Sequence, residues 1–230
     1  MKRQAWALLI SAIAAVLTLA ALARADLVWA GAWGLVAVVS FGAARAWNRR
    51  SPEPFPYALR WLLLLPRPGH SPRVLKRILQ PRRGEYLLEV GPGIGVHALP
   101  IASSLVPGGI LAAVDLQRPM LVDLVRRADQ HTITNVVSTQ ADATRLPYAD
   151  HSFDGAYLIG VLGEIPDQAA ALRELRRVVK PQGRLVIGEI CVDPDFVSLR
   201  SLRAHAREAG FAFESERGSS FAYLARFRPA

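Results

Sequence analysis

The chain has 230 residues, of which 51% are hydrophobic and 20% are charged, and its formal net charge is +9. This composition is too apolar for a disordered protein and rather apolar for a wholly soluble one. The single cysteine, Cys191, excludes an intramolecular disulfide and any metal site built from several cysteines. The five histidines lack the spacings of helical metal-binding motifs, so we expect no protein-bound metal.

Two long uncharged segments open the chain. They cover residues 5–23 and 27–44, and only residues 24–26 separate them. At about 1.5 Å of rise per residue, each would extend about 27 to 29 Å as a helix, close to the ~30 Å hydrocarbon core of a bilayer. We therefore predict a transmembrane helical hairpin over residues 1–44.

Two other interpretations of this region stay open. A signal peptide would begin with Lys2 and Arg3 and would end near the small residues 21–23, but its apolar core is usually only ~7 to 15 residues long. A buried helical pair in a soluble core would need a polar face on each helix, which neither segment shows.

Basic residues flank the predicted hairpin. Lys2 and Arg3 precede it, and residues 45–83 hold ten Lys and Arg residues against one acid, Glu53. Such an excess predicts that both ends of the hairpin lie on the cytoplasmic side of the inner or plasma membrane. The rest of the chain would then face the cytoplasm. Each basic residue near an anionic leaflet contributes on the order of 1 kcal/mol, so we predict that residues 45–83 hold the folded domain against the membrane.

The connecting region has three parts. Residues 51–57 are rich in proline and cannot continue a helix. Residues 58–65 are too short to cross a bilayer but apolar enough to lie in its interface. A basic helix is predicted from Ser71 to Leu79, with Ser71 as N-cap and Pro72 at its first position. The alternative for this region is a solvated basic surface with that helix packed on the domain.

From Gly84 onward, apolar strands alternate with helices. Strands are predicted over residues 86–90, 109–115, 136–140, 153–160, 184–190, 211–216 and 221–227, and helices over 96–105, 119–130, 168–180 and 196–209. This pattern predicts an α/β domain over residues 84–230, with a Rossmann-like, doubly wound, mostly parallel seven-stranded sheet. A closing hairpin brings one antiparallel strand to an edge, and ligands bind at the carboxyl ends of the parallel strands.

The predicted ligand site follows the first strand, in the run Glu89-Val90-Gly91-Pro92-Gly93-Ile94-Gly95. Glycines at such a turn let the backbone bend tightly and let a ligand approach it closely. The third glycine of a dinucleotide fingerprint would fall at position 96, which is Val96, and Glu89 would repel a pyrophosphate. Both features disfavour NAD and favour a positively charged nucleoside. Nucleic acid is a weaker candidate partner, because the domain itself is slightly acidic.

Two further acids fit that ligand. Asp115 ends the second strand, from which a carboxylate can accept hydrogen bonds from both hydroxyls of a ribose. Asp142 follows the third strand, where it could accept a hydrogen bond from the exocyclic amine of adenine. With these features, residues 87–189 resemble the class I S-adenosylmethionine-dependent methyltransferases, within them the menaquinone and ubiquinone C-methyltransferase-like branch (methyltransferase type 11). The motifs that carry the resemblance are LLEVGPGIG, AAVDLQRPML, ADATRLPYADHSFD and LRELRRVVKPQGRLVIGE.

The resemblance implies S-adenosylmethionine as the cofactor. It assigns cofactor-binding roles to eight residues: Glu89, Gly91, Gly93, Gly95, Asp115, Leu116, Asp142 and Ala143. The glycine motif with Glu89 would hold the methionine part, Asp115 the ribose, and Asp142 with Ala143 the adenine. For each acid the alternative is a surface or capping carboxylate.

The sequence departs from the family after the fourth strand. Family members often carry histidines before Ile-Pro-Asp, whereas this chain has Leu162-Gly163-Glu164. Glu164 is therefore a weak candidate for a catalytic base or for a residue that holds a cation, and a surface glutamate is the alternative. The Asn-Pro-Pro-Tyr type motif of enzymes that methylate nucleic-acid amines is missing, which argues against base methylation.

Membrane anchoring favours a lipidic acceptor, because a water-soluble substrate would need neither a hairpin nor a basic connecting region. We therefore predict a membrane-anchored methyltransferase that acts on a lipidic or membrane-associated acceptor, with a quinone-like precursor ahead of an aminophospholipid. The alternatives are methylation of a soluble small metabolite and a scaffold that binds S-adenosylmethionine without catalysis.

Overall fold

The computed structural model describes residues 3–67 and 69–230, without the side chains of residues 3–9, 48 and 49. Lys2, part of the predicted basic flank, lies outside the described residues, and the Arg3 and Arg49 side chains lie outside them too. The described chain consists of two N-terminal helices, a connecting region and an α/β domain.

The two N-terminal helices pack side by side. Helix α1 (Arg3–Ala23) and helix α2 (Leu27–Arg50) are joined by a short turn, and α2 continues past the predicted limit at residue 44. The Ser11 hydroxyl donates to the Ala37 carbonyl across the pair (3.1 Å). The Asp26 carboxylate caps α2 by accepting from the Trp29 N–H (3.3 Å). The region therefore folds as a helical hairpin.

The hairpin exposes much of its apolar surface. Within α2, the stretch Leu27–Trp47 is long and apolar enough to cross a bilayer, and only 11% of its most apolar part is buried. The apolar part of α1 whose side chains are described, Ile10–Ala23, is shorter. Large side chains are exposed along both helices, among them Ile13, Val16, Leu19, Leu27, Val28, Leu35, Val38 and Val39. This exposure argues against a buried helical pair in a soluble core.

The predicted interfacial segment forms a 3₁₀ helix, Tyr57–Leu64. Its side chains divide between two environments: Leu59 is buried, whereas Trp61 and Leu64 are 55% and 56% exposed. The Arg60 guanidinium donates to the Asp123 carboxylate (2.7 Å), so this helix is held on the domain by an ion pair.

Helix α3 (Pro72–Leu79) begins as predicted. The Ser71 hydroxyl accepts from the Val74 N–H (3.4 Å), and Pro72 occupies the first turn. Leu75 and Leu79 are fully buried against the domain. One face of this basic helix thus packs on the sheet, and Arg73 and Arg77 lie exposed on the other.

Seven strands form one sheet in the order β3-β2-β1-β4-β5-β7-β6. Their bounds are β1 Tyr86–Val90, β2 Ile110–Asp115, β3 Val136–Gln140, β4 Phe153–Ile159, β5 Val179–Ile190, β6 Phe211–Ser219 and β7 Ala222–Pro229. The first five strands run parallel, and β7 runs antiparallel to both β5 and the outermost strand β6. The predicted sheet and its terminal hairpin with an antiparallel strand are confirmed.

Helices cover both faces of this sheet. Four lie within the domain: α4 Ala98–Leu105, α5 Arg118–Gln130, α6 Gln168–Val178 and α7 Leu199–Glu208. Leu88 and Val90 of β1 pack in one core with α6 and α7, and the alternate residue Leu87 packs in the other with α3, α4 and α5. The predicted helix 168–180 ends early because Val179 already pairs with Phe153 in β4.

The strand order reverses between β1 and β4. Strands β2 and β3 lie on one side of β1, whereas β4 and β5 lie on the other. The loops after β1 and β4 therefore diverge at their carboxyl ends and leave a crevice, which is where ligands bind in open α/β sheets.

Candidate active site

A cavity of about 870 Å³, which we call the central cavity, occupies this crevice. Its sheet side is lined by residues at or after the ends of the parallel strands: Val90, Gly91, Gly93, Val114, Asp115, Leu116, Gln117, Ala141, Asp142, Ala143, Gly160, Val161, Glu164, Asp193 and Asp195. Its opposite side is lined by residues of the N-terminal segments: Ser11, Ala12, Ala15, Phe41, Pro54, Phe55, Leu59, Leu62, Leu63 and Arg67.

The glycine loop after β1 forms the middle of the sheet side. Gly91 and Gly93 adopt φ values of +69° and +54°, which disfavour residues with a Cβ. A Cβ on Gly91 would lie 2.4 Å from Val161 Cγ2, and one on Gly93 would lie 2.9 Å from Leu63 Cδ1. Gly95, the third glycine of the motif, packs against α5 and does not line the cavity. Glycine is thus required where backbone and cavity meet.

Asp115 joins two of the loops that line the cavity. One carboxylate oxygen accepts from the Gln117 N–H (2.8 Å), and the other accepts from the Gly93 N–H (3.3 Å). Burial raises the pKa of Asp115, and the two backbone donors oppose that effect. Leu116 beside it is exposed and also lines the cavity. The structure therefore places the predicted ribose residue at the cavity wall, next to the glycine loop.

Asp142 and Ala143 lie on the loop after β3 and line the same cavity. Asp142 is exposed, and one of its carboxylate oxygens accepts from both the N–H and the hydroxyl of Thr144 (2.8 Å each). This is the capping role that the sequence left open, but it uses only one of the two oxygens. The predicted adenine residues are thus brought together with Asp115 and the glycine loop.

Glu89 differs from the expectation in its charge. It is buried, it does not line the central cavity, and the Tyr157 hydroxyl donates to its carboxyl group (2.7 Å). Burial raises the pKa of Glu89 to about 8, so the group is mostly neutral at pH 7. We expected Glu89 to be an anion at the loop, whereas its burial in this structure favours the neutral form.

Glu164 contacts the connecting region across the cavity. Its carboxyl oxygen accepts from the Phe55 N–H (3.0 Å), and the Gln117 side-chain amide donates to the Phe55 carbonyl (2.8 Å). Burial, and the nearby Asp195, raise the pKa of Glu164 well above its usual range. The linker is therefore tied across the cavity by side chains that follow β2 and β4.

A pair of acids after β5 was missed by the sequence analysis. Asp193 and Asp195 both line the cavity, and burial raises the pKa of Asp193 to about 7, with Arg67 opposing that shift. A Cβ on Gly160 would lie 3.1 Å from the Asp193 carboxylate and 3.7 Å from Arg67, so the two side chains lie together above that glycine. Their position at the carboxyl end of a parallel strand was the signal that could have found them.

Two buried histidines precede α3 and α4 and do not line the central cavity. His97 and His70 are buried, and His97 Nε2 lies 2.6 Å from the His70 carbonyl. Burial lowers the pKa of His97 to about 4, so its ring stays neutral at pH 7. Among the residues that the structure describes, no group of three or more His, Cys, Asp or Glu residues could hold a metal ion.

Comparison with known proteins shows what this domain is similar to. Residues 88–187 match the methyltransferase domain family Methyltransf_11. This part of the chain is therefore similar to methyltransferase domains. The chain also superimposes on a SAM-dependent methyltransferase from Aquifex aeolicus with a TM-score of 0.70 and 18% identity, over 76% of this chain and 100% of that one. At this identity the likeness shows the shared Rossmann-like methyltransferase fold.

Two curated methyltransferases show clearer sequence similarity. A demethylmenaquinone methyltransferase of Corynebacterium kroppenstedtii is 34% identical over 117 residues, which cover 51% of this chain and 47% of that protein. The 27-O-demethylrifamycin SV methyltransferase of Amycolatopsis mediterranei is 32% identical over 164 residues, 61% of this chain and 59% of that protein. The chain thus spans about half the length of these relatives.

The residues of the central cavity fit S-adenosylmethionine. The cavity provides a glycine-only approach to the backbone at Gly91 and Gly93, a carboxylate at Asp115 and a second one at Asp142. These groups match a ligand with an amino-acid part, a ribose and an adenine, in the chain order that the resemblance implied.

Proposed function

We propose that the protein is a methyltransferase that moves a methyl group from S-adenosylmethionine to a lipidic or membrane-associated acceptor. The observation that carries this proposal is the composition of the central cavity. One side holds the residues that are predicted to bind the cofactor, and the other is made by helices whose outer surfaces are apolar and exposed. An enzyme built in this way meets its acceptor at a membrane surface.

The cofactor would be held by the glycine loop, Asp115 and Asp142, with Leu116 and Ala143 beside them. When bound, it supplies a methyl group on a sulfonium sulfur, which passes to the acceptor without its bonding electrons, while the acceptor loses a proton. The chain's own contribution is positioning and the exclusion of water, because the sulfonium already provides a good leaving group.

The acceptor side of the cavity offers a group that can take up the proton. Asp193 lies beside Arg67 and Gly160, and its pKa of about 7 lets it accept a proton near neutral pH. Glu164, the candidate from the sequence, is hydrogen-bonded to the linker at Phe55, and burial raises its pKa well above its usual range. We therefore assign the proton to Asp193, whereas Glu164 holds the linker over the site.

Quinone-like precursors are the favoured acceptors, with aminophospholipids next. The demethylmenaquinone methyltransferase of C. kroppenstedtii is among the relatives, and its name describes a ring that carries an apolar tail. An acceptor of that kind is polar at one end and apolar at the other, as is the central cavity. Methylation of a soluble small metabolite remains the competing function, supported by the similarity to the rifamycin enzyme.

Membrane association, with the domain on the cytoplasmic side, is the second element of the proposal. The exposed hairpin surface, the exposed Trp61 and Leu64, and the basic residues of α3 support it. A fluorescent label at Leu64→Cys in a Cys191→Ser background should be quenched by a quencher placed in vesicle lipids. A label at Val137→Cys, similarly exposed (50%) on the edge strand β3, should not be. Equal quenching at both sites would contradict the orientation.

The activity itself is tested with purified full-length protein, S-adenosylmethionine labelled in its methyl group, and a total membrane lipid extract. Label in a lipid fraction supports the proposal, and separation of the products then identifies the acceptor class. Cofactor binding without label in any lipid fraction would instead favour a soluble acceptor or a binding role without catalysis.

A further inference from the structure

We propose that the N-terminal helices form a binding site for the hydrocarbon tail of the acceptor, and that the tail enters the central cavity sideways, between the hairpin and the domain. This proposal rests on the proposed function, because it requires a lipidic acceptor. It adds where the tail lies and which residues contact it.

The central cavity is continuous from the predicted cofactor residues to the hairpin. Ser11, Ala12 and Ala15 of α1 and Phe41 of α2 line the same cavity as the glycine loop and Asp115. The hairpin is thus part of the wall of the site in which the cofactor residues lie. Alanine and serine side chains are short, so this part of the helix surface leaves room for a chain of methylene groups.

Contacts with the domain hold the hairpin against the cavity. Arg45, near the end of α2, donates to the Asp193 carbonyl (3.5 Å), and its guanidinium lies 5.9 Å from the centre of the Phe196 ring. These contacts link α2 to the loop after β5, where the acceptor side of the cavity begins. The wall formed by Phe41 therefore belongs to the folded arrangement of the domain.

The cavity wall formed by the 3₁₀ helix is thin. In the 3₁₀ helix, Leu62 and Leu63 line the cavity, as does the following Leu65, whereas Trp61 and Leu64 are more than half exposed and do not line it. A single helix thus separates the cavity from an apolar outer surface. In a membrane-associated protein, that outer surface faces lipid, so a tail would stay in apolar surroundings along its whole path.

Polar groups are distributed unevenly between the two ends of the cavity. The ionisable side chains Asp193, Glu164 and Arg67 lie on or near the loops after β4 and β5, whereas the hairpin contributes small or aromatic residues. The two ends of the cavity therefore differ in polarity. This matches an amphiphile whose polar head lies near the methyl donor and whose tail, of the prenyl or acyl class, lies against α1 and α2.

The test uses full-length protein in lipid nanodiscs and a long-chain fatty acid that carries a photoreactive diazirine close to its carboxyl group, the end that the proposal places beside the loops after β4 and β5. Labelling is read at Val161, which lines the cavity behind the glycine loop. We expect label at Val161 in the wild type, and at least a fivefold loss in Ala15→Trp, which fills the proposed tail site. Ala20→Trp, the same change at an exposed position of α1 outside the cavity, should keep the wild-type level.

Melting temperature and cofactor affinity show whether each variant is folded. If Ala15→Trp does not fold, Ala12→Trp serves instead, because Ala12 lines the same part of the cavity, and it should show the same loss of labelling at Val161. Equal labelling of Val161 in Ala15→Trp and Ala20→Trp, with both folded, or its absence in the wild type, overturns the proposal.

A second measurement separates this proposal from the proposed function. Demethylmenaquinol acceptors with a long tail and with a single prenyl unit share one ring, so they differ only in the part assigned to the hairpin. Ala15→Trp should lower kcat/KM for the long-tailed acceptor at least tenfold and change it less than threefold for the short one. If Ala15→Trp lowers the methylation of both acceptors equally, the tail site is refuted and the proposed function is not. If the wild type methylates no lipid, the proposed function itself is refuted.

Discussion

Asp115→Asn is the most direct test of the cofactor site. The wild-type carboxylate accepts from the Gln117 and Gly93 N–H groups and still faces the cavity, where two ribose hydroxyls would donate to it. Asparagine keeps one acceptor oxygen but places an NH₂ group where the second oxygen stood. That loss removes one charge-assisted hydrogen bond, worth about 1.5–3 kcal/mol. At ~1.4 kcal/mol per tenfold, the Kd for S-adenosylmethionine should rise about 10- to 150-fold.

The fold should tolerate this change. Among the described residues no cation is paired with Asp115, so its neutral replacement breaks no ion pair, and the free energy of unfolding should change by less than about 1.5 kcal/mol. Isothermal titration calorimetry gives the Kd, and urea unfolding gives the stability. Asp129→Asn, the same charge change on the exposed surface of α5, is the control. A Kd for Asp115→Asn within threefold of wild type would refute the assignment of Asp115 to the cofactor.

Three further predictions concern the loop, the proton acceptor and the domain's stability. Gly91→Ala would place a Cβ 2.4 Å from Val161 at a φ of +69°, so it should lower cofactor affinity at least tenfold in calorimetry and lower the stability by about 1–3 kcal/mol. Because Asp193 has a pKa of about 7 and accepts protons only when ionised, methyl transfer should rise between pH 6 and 8 in the wild type; Asp193→Asn should be slower and lack this rise. Arg184→Ala leaves the Glu85 carboxylate without its partner at 2.6 Å and should lower the free energy of urea unfolding by about 3–5 kcal/mol, whereas a loss below 1 kcal/mol would show that the pair is not structural.

Most of the domain could be predicted from local sequence patterns. Continuous apolar runs such as Tyr86–Val90 predict strands buried on both faces, and β1 has those bounds. Ser71 and Pro72 predict the start of α3 because an N-cap and a proline in the first turn act within four residues. The end of the predicted helix 168–180 was wrong by two residues, since pairing of Val179 with a distant strand overrides local helix propensity.

The cofactor side of the site could be predicted for a similar reason. In a parallel sheet, a residue's place at the end of its strand determines which edge it occupies, so Asp115, Asp142 and the glycine loop had to lie near one another. Their order along the chain was visible without any knowledge of contacts. The roles assigned to them stay predictions until ligand binding is measured.

The sequence by itself therefore determined the strand and helix pattern, the glycine loop and the edge of the sheet at which a ligand binds, because each depends on nearby residues or on strand order. Only the tertiary structure decided which groups are charged and what closes the site. Glu89 is neutralised by burial beside Tyr157 on another strand, and Phe55 is tied to Glu164, 109 residues away. The packing of α1 over the sheet loops likewise joins residues such as Ala15 to the cavity. Burial and long-range contact depend on how distant segments pack, and no local pattern encodes them.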